Sequence, residues 1–108
     1  MAKIAVMMAT GYEEGETLTI VDILRRAGLT CDTFYFDTPL VEGMHHMFVK
    51  ADKPFGEEVK EYDMIVLPGG RPGGQNLKEN PKVIQMVQYF NNHNKLIGAM
   101  CSGTVVLS

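Results

Sequence analysis

Two short segments of this 108-residue chain are apolar at nearly every position. Residues 3–9 read KIAVMMA, and residues 63–68 read DMIVLP. A strand with one face in water alternates polar and apolar residues, whereas a strand covered on both faces is apolar throughout. Both segments therefore predict buried strands of a parallel sheet with helices on its two faces.

Helices are predicted between these strands. The first contains apolar residues at helical spacing from Glu16 onwards, and Gly28 suits the left-handed position that ends a helix. The second opens with Asn80 as the capping residue and Pro81 at the first helical position. A further helix is predicted to begin within SGTVVLS, residues 102–108.

The remaining segments complete the predicted fold. LTCDTFYF, residues 29–36, and KLIGAM, residues 95–100, have the composition of strands, and MFVKAD, residues 47–52, predicts a shorter one. GGRPGGQNL, residues 69–77, is predicted to be a loop because it contains four glycines. This order of elements predicts one α/β domain with a doubly wound, mostly parallel sheet and right-handed crossovers.

Composition and charge exclude several classes of function. The net charge of −3 gives no electrostatic reason to expect nucleic acid or an anionic membrane as a partner. The chain has no apolar run of about 18 residues that would span a membrane, and its start lacks the pattern of a signal peptide. Cys31 and Cys101 are far apart and lack the spacing of a zinc site. We therefore expect a cytoplasmic protein with reduced thiols and no bound metal.

Three loops are predicted to meet at one edge of the sheet. They are TGYEEGET (10–17), PGGRPGGQN (68–76) and AMCSGT (99–104). In doubly wound sheets the reactive groups gather beyond the carboxyl ends of the strands. PGGRPGG lacks the Lys-Ser/Thr ending of a phosphate-binding loop, so phosphate binding is a weak alternative for this edge.

Cys101 lies between a buried strand and a predicted helix, which is the position of a nucleophile elbow. The N–H groups at the start of that helix would favour the thiolate. An oxyanion hole could form from the N–H of Ser102 together with that of Gly69 or Gly70, and these two glycines are also the predicted substrate-binding residues. Position alone leaves open that Cys101 is simply a small buried residue, which is the reading we favour for Cys31.

Three segments in this order resemble the ThiJ/PfpI superfamily: GYEEGETLTIVDILRRAGL, DMIVLPGGRPGGQNL and LIGAMCSGTVVL. Within it, they resemble the branch that contains the human Parkinson-disease-associated protein deglycase and its bacterial relatives. The resemblance covers nearly the whole chain, although residues 38–55 match poorly. It implies a flavodoxin-like three-layer sandwich, a homodimer, no cofactor and a reactive cysteine at Cys101.

The resemblance also implies a glutamate beside the thiol, at Glu16 rather than at Glu13 or Glu14. An ionised carboxylate would repel a thiolate, so Glu16 would have to hold a proton and donate it to the sulfur. Such a group serves as a general acid and then as a general base. The alternative is that Glu16 is one of the carboxylates that suit the first turn of any helix.

The chain also departs from its relatives. Peptidases of the superfamily carry histidine directly after the nucleophile, but Ser102 stands there, which argues against a peptidase. The histidine that relatives place near the cysteine comes from a later segment. His45, His46 and His93 lie elsewhere, and the His45-His46 pair lacks carboxylates at metal-binding spacing.

The sequence leaves two classes of function open. The first is a cofactor-independent cysteine glyoxalase or deglycase that acts on small α-oxoaldehydes or their early adducts. The second is a thiol redox sensor or stress-response chaperone without significant turnover, because an exposed thiolate also oxidises readily. A role in thiamine biosynthesis is a weaker alternative. The predicted helix after Cys101 is too short to be stable alone, so we also expect residues 1–108 to be the N-terminal part of a domain that a further segment or second chain completes.

Overall fold

The computed structural model describes residues 2–100, 103, 106 and 107. Within these residues seven strands occur: β1 (Lys3–Met7), β2 (Thr30–Tyr35), β3 (Leu40–Glu42), β4 (Phe48–Lys50), β5 (Lys53–Pro54), β6 (Met64–Leu67) and β7 (Leu96–Ala99). Five of them form a parallel sheet in the order β5-β2-β1-β6-β7. β1 is the central strand, with β2 and β5 on one side and β6 and β7 on the other. The predicted doubly wound α/β fold is therefore confirmed.

Helices cover both faces of this sheet. They are α1 (Glu14–Arg26), a 3-10 helix (Glu57–Glu61), α2 (Gly73–Glu79) and α3 (Pro81–Asn92). On one face, Val21 of α1 packs with Ile4, Val6 and Val66. On the other face, the alternate residues of the same strands pack against the remaining helices in a larger apolar cluster. Its members include Ala5, Met7, Phe34, Ile65 and Leu67 from the strands and Leu77, Val83, Met86 and Phe90 from the helices.

The apolar runs mark the strands that are buried on both faces, as predicted. Every residue from Ile4 to Ala9 is buried, and so is every residue from Ile65 to Leu67. Cys31 of β2 is also buried, in the cluster under α1. Burial raises the pKa of the Cys31 thiol, which agrees with its predicted structural role.

Two helix boundaries follow the predicted chemistry. The Asn80 side chain accepts a hydrogen bond from the N–H of Lys82 at 3.0 Å, and Pro81 is the first residue of α3. Gly28 follows the end of α1 with φ of +82°, a conformation that is costly for residues with a side chain. Both of these sequence signals are confirmed.

The start of α1 differs from the prediction. The helix begins at Glu14 rather than at Glu16, because the Glu13 carboxylate caps it. Glu13 accepts hydrogen bonds from the N–H of Gly15 at 2.6 Å and from that of Glu16 at 3.3 Å. Glutamate is not among the preferred capping residues, so the sequence pattern did not indicate this role.

The segment predicted as a glycine-rich loop contains a helix, α2. Gln75 to Glu79 are compatible with a helix, and burial of Leu77 against the sheet anchors it. The segment after β2 contains the antiparallel hairpin β3–β4, of which only the second strand was predicted. None of the helices in the described part of the chain is long and apolar enough to cross a membrane.

Candidate active site

The carboxyl edge of the sheet brings together the loops that follow β1 and β6. The N–H of Glu13 donates to the carbonyl of Gly69 at 2.9 Å. The N–H of Gly73 donates to the carbonyl of Gly11 at 3.1 Å. These two backbone hydrogen bonds fix the loop before Glu16 against the Gly69-Gly70 loop, as the predicted meeting of loops requires.

Gly70 makes this contact possible. Its φ is +115°, and a Cβ added to it would lie 2.8 Å from the carbonyl carbon of Tyr12 and would also collide with the carbonyl oxygen of Gly11. A side chain would therefore push the two loops apart. The glycine that the sequence assigned to substrate and oxyanion binding is also the residue that allows the loops to approach.

The third loop packs against the same edge in its described part. The N–H of Met100 donates to the carbonyl of Leu67 at 3.2 Å, which extends the pairing of β7 with β6. Gly103 is buried, and a Cβ on it would lie 2.6 Å from the carbonyl oxygen of Pro68. Cys101 and Ser102, the predicted nucleophile and oxyanion donor, lie outside the described residues.

Three glutamates at the start of α1 have different surroundings. Glu13 caps the helix, as described above. Glu14 has a side chain that is only 4% exposed, and it accepts hydrogen bonds from the N–H of His45 at 2.9 Å and that of Met47 at 3.1 Å. Glu16 is half-buried in the first turn of α1. Glu13 and Glu14 thus have structural partners of their own.

Glu14 holds the β3–β4 hairpin onto the start of α1. Burial opposes ionisation of its carboxyl, but hydrogen bonds from backbone N–H groups and from the His45 ring keep the pKa of Glu14 below its ordinary value. Gly43 leaves the space for this carboxylate, since a Cβ there would lie 2.5 Å from Glu14 Cγ. No sequence motif indicates this contact, because its partners lie about thirty residues apart.

The adjacent histidines point to different carboxylates. His45 Nδ1 lies 3.0 Å from Glu14 Oε1 and 3.7 Å from Glu13 Oε2, whereas His46 Nδ1 lies 2.8 Å from Glu42 Oε2. Tertiary structure therefore supplies His45 with two carboxylates that its sequence neighbourhood lacks. These three groups have ligand atoms within 4.8 Å of one another, but the donors described above already contact both carboxylates. His46 does not join them, so the two histidines do not form a metal pair.

Comparison with known proteins identifies the family. The sequence profile of the DJ-1/PfpI family matches residues 2–108, so the chain belongs to this family. It is 35% identical over 106 residues to the Parkinson disease protein 7 homolog of Danio rerio, covering 94% of this chain and 56% of that protein. It is 30% identical over 115 residues to the glutathione-independent glyoxalase DJ-1 of Schizosaccharomyces pombe, covering 97% and 60%.

Solved structures agree with this assignment. A mutant of a DJ-1 superfamily protein from Salmonella typhimurium superposes with a TM-score of 0.91 at 35% identity, over 99% of this chain and 60% of that one. Oxidized DJ-1 of Toxoplasma gondii gives a TM-score of 0.90 at 34% identity, over 98% and 59%. The chain thus spans a little more than half the length of these relatives. That a further segment completes the domain stays a prediction.

Proposed function

We propose that this chain carries the cysteine and glutamate of a cofactor-independent glyoxalase or deglycase that acts on small α-oxoaldehydes or their early adducts. Related proteins are named as a glutathione-independent glyoxalase and as the deglycase PfpI of Pyrococcus furiosus. The observation that carries the proposal is the backbone contact between the loop before Glu16 and the Gly69-Gly70 loop. Both loops lie at the carboxyl edge of the sheet. Strand β7 ends at the same edge, two residues before Cys101.

The proposed reaction begins at the sulfur. The Cys101 thiolate attacks the aldehyde carbon of methylglyoxal, a C–S bond forms, and the carbonyl π electrons move to the oxygen. The N–H groups of Gly70 and Ser102 stabilise this oxyanion, with Gly69 shaping the same loop. Glu16 donates its proton to the oxygen and so completes a hemithioacetal.

Glu16 then acts as a base. It removes the proton from the former aldehyde carbon to give an enediol, and the neighbouring carbon is protonated in turn. The first carbon is thereby oxidised and the second reduced, which leaves a thioester. Water hydrolyses the thioester to lactate and restores the thiol. With an early amine adduct, formation of the C–S bond accompanies cleavage of the C–N bond, and Glu16 protonates the departing amine.

Methylglyoxal consumption by the purified protein tests this proposal. Cys101→Ala and Glu16→Gln should each lower kcat/KM by at least about 100-fold, the size expected for a nucleophile or a general acid-base group. Cys31→Ala is the matched thiol control, and Glu61→Gln, at an exposed residue of the 3-10 helix, is the matched carboxyl control. Full turnover in Cys101→Ala or Glu16→Gln would reject the proposed chemistry.

A second function uses the same thiol. The Toxoplasma gondii relative was solved in an oxidized form. In this chain, oxidation of the Cys101 thiolate to sulfenic and then sulfinic acid would make a redox sensor or stress-response protein. Selective oxidation of Cys101 by dilute peroxide, without any methylglyoxal turnover, would favour this alternative. Turnover that depends on Cys101 and Glu16 would favour the enzyme.

The proposed protein is a homodimer of the cytoplasm, where thiols stay reduced. The β3–β4 hairpin supports a subunit contact because Leu40, Met47 and Phe48 are each at least half exposed. Sedimentation of the purified protein tests the dimer. Phe48→Lys should shift the sedimenting species towards the monomer. An unchanged mass would show that the hairpin is not part of the subunit interface.

A further inference from the structure

A cavity lies at the carboxyl ends of β2 and β5, the outer pair of parallel strands on one side of the sheet. Its volume is about 260 Å³, which suits a ligand of the size of an amino acid. Ligands of open α/β sheets bind beyond the carboxyl ends of the strands, which is the position of this cavity. Six residues from the ends of β2 and β5 and the start of α3 line it: Phe36, Asp37, Phe55, Asn80, Pro81 and Lys82.

Two phenylalanines form an apolar wall of the cavity. The ring centroids of Phe36 and Phe55 lie 4.9 Å apart, and the rings are inclined by 32°. Both residues are half-buried and pack against the main apolar cluster, so the wall is attached to the core. Pro81 adds a third apolar surface. An apolar side chain of a ligand would contact these groups.

The two charged groups of the cavity have opposite signs and are unpaired. Asp37 supplies a carboxylate and Lys82 an ammonium group, and both residues are exposed. Within the described part of the chain, neither side chain forms an ion pair or a hydrogen bond, with the other or with any further group. The lining therefore offers a bound molecule one position for a cation and another for an anion.

The amide of Asn80 adds to the anion position. Its Oδ1 faces the backbone of α3, where it accepts from the N–H of Lys82 at 3.0 Å. The amide atom that remains for a ligand is Nδ2, which is a donor. A carboxylate accepts from this donor and from the Lys82 ammonium, whereas the Asp37 carboxylate accepts from an ammonium group. In a cavity of about 260 Å³, one small molecule with both charges satisfies all three groups.

We propose that this cavity binds a free α-amino acid with an apolar side chain. Asp37 binds the ammonium group, Lys82 and Asn80 bind the carboxylate, and the side chain lies against the two phenylalanines. The flexible stem of Lys82 lets its ammonium follow the carboxylate. None of the six lining residues belongs to the proposed catalytic machinery, so this binding is a property separate from the proposed reaction.

L-Phenylalanine and two analogues test the charged positions. 3-Phenylpropanoate lacks only the ammonium group, and 2-phenylethylamine lacks only the carboxylate. Titration of the protein with each compound is followed through the amide resonances of Asp37 and Lys82. Phenylalanine should reach half-saturation at a concentration about three- to five-fold lower than either analogue, as expected for exposed ion pairs. Both ratios should decrease as salt rises from about 0.01 M to about 1 M.

Two variants assign each charge to its partner. Asp37→Asn should abolish the ratio against 3-phenylpropanoate and retain the ratio against 2-phenylethylamine. Lys82→Gln should lower the ratio against 2-phenylethylamine and retain the other. Glu61→Gln and Lys50→Gln are matched charge controls at exposed residues outside the cavity, and both ratios should persist in them.

Glycine tests the apolar wall. Because it has no side chain to contact the phenylalanines, it should need a concentration at least about ten-fold higher than phenylalanine does. Equal half-saturation by phenylalanine and both analogues would overturn the inference, and so would a lack of shifts at Asp37 and Lys82. Loss of both ratios in the same variant would contradict the assignment of the two charges. Methylglyoxal turnover does not enter these measurements, so the site and the proposed function stand or fail independently.

Discussion

The two edges of the parallel sheet are held together in different ways. At the carboxyl edge, loops contact each other through their backbones, with Glu13 bonded to Gly69 and Gly73 to Gly11. Three of the four residues in these two hydrogen bonds are glycines.

At the amino edge, side chains add to the backbone hydrogen bonds that Asp63 makes with Lys3 and Leu96. The carboxylate of Asp63 accepts from the N–H of Lys3 at 2.8 Å. The ammonium of Lys95 donates to the carbonyl of Tyr62 at 2.7 Å and also to that of Lys60. These groups satisfy backbone atoms at the start of β1 and before β6.

The comparison shows two ways of holding the strand ends of one sheet together. Side chains bridge backbone atoms at the amino edge. Backbone hydrogen bonds that involve glycines join the loops at the carboxyl edge, where we propose that the substrate binds. Substitutions at the amino edge should therefore change mainly stability, and those at the carboxyl edge should change both stability and activity.

The largest effect is expected at Gly70. Gly70→Ala adds a side chain at φ of +115° and a collision with the neighbouring loop, so it should lower the free energy of unfolding by about 3–4 kcal/mol. Urea denaturation followed by circular dichroism measures this loss. Alanine substitutions at Gly28 and Gly56 separate the cost of the backbone conformation from the cost of the collision.

Gly28→Ala introduces a left-handed alanine at φ of +82° but no collision, and should cost about 1 kcal/mol. Gly56→Ala introduces neither, since its φ is −178° and its surroundings are open. Equal losses for Gly70→Ala and Gly28→Ala would show that the loops are not in close contact.

The next effect is expected at Glu14. Glu14→Gln replaces one acceptor oxygen with an NH₂ group that faces N–H donors, and should lower the free energy of unfolding by about 2 kcal/mol. Methylglyoxal turnover should also decrease, because the start of α1 positions Glu16. A stability loss below about 0.5 kcal/mol, typical of a solvated surface group, would contradict the proposed link to the hairpin.

The loss of stability in Glu14→Gln should depend on pH. The pKa of Glu14 is lower in the folded protein than in the unfolded chain, where it is about 4.3. Its contribution to stability is therefore complete above that pH and is lost as the pH falls through the folded-state pKa. The difference in unfolding free energy between the wild type and Glu14→Gln should narrow below about pH 4. A difference that widens in acid would contradict the direction of the shift.

The smallest effect is expected at the amino edge. Tyr62 is fully buried and its hydroxyl donates to Asp32, while Lys53 Nζ donates to the hydroxyl at 3.3 Å. Burial and the Asp32 carboxylate raise the pKa of Tyr62 to about 12. Tyr62→Phe should cost about 1 kcal/mol of stability and leave methylglyoxal turnover at 25 °C unchanged. A large loss of turnover would contradict the expectation that substitutions at the amino edge change mainly stability.

The sequence predicted the features that depend on local pattern. The apolar runs of β1 and β6, the cap at Asn80 and the left-handed Gly28 all follow from the chemistry of one or a few neighbouring residues. Convergence of the loops also followed, because parallel strands carry their ends to one edge.

Features that depend on distant contacts were missed. Helix α2 is stabilised by burial of Leu77, which outweighs its two initial glycines. Glu14 was not assigned a role because its partners in the hairpin are supplied by tertiary structure. A cavity at the carboxyl edge is lined by residues from separate segments, among them Met8, Asp37 and Asn76, so no short motif indicates it.

The most direct test of the account is the rate of Cys101 alkylation by iodoacetamide as a function of pH, in the wild type and in Glu16→Gln. Cys31 is an internal reference, because it is buried and its thiol pKa is raised. The account predicts that Cys101 reacts with an apparent pKa at least one unit below the unperturbed value of about 8.5, and that Glu16→Gln moves it. An apparent pKa of about 8.5 in both proteins would contradict the account.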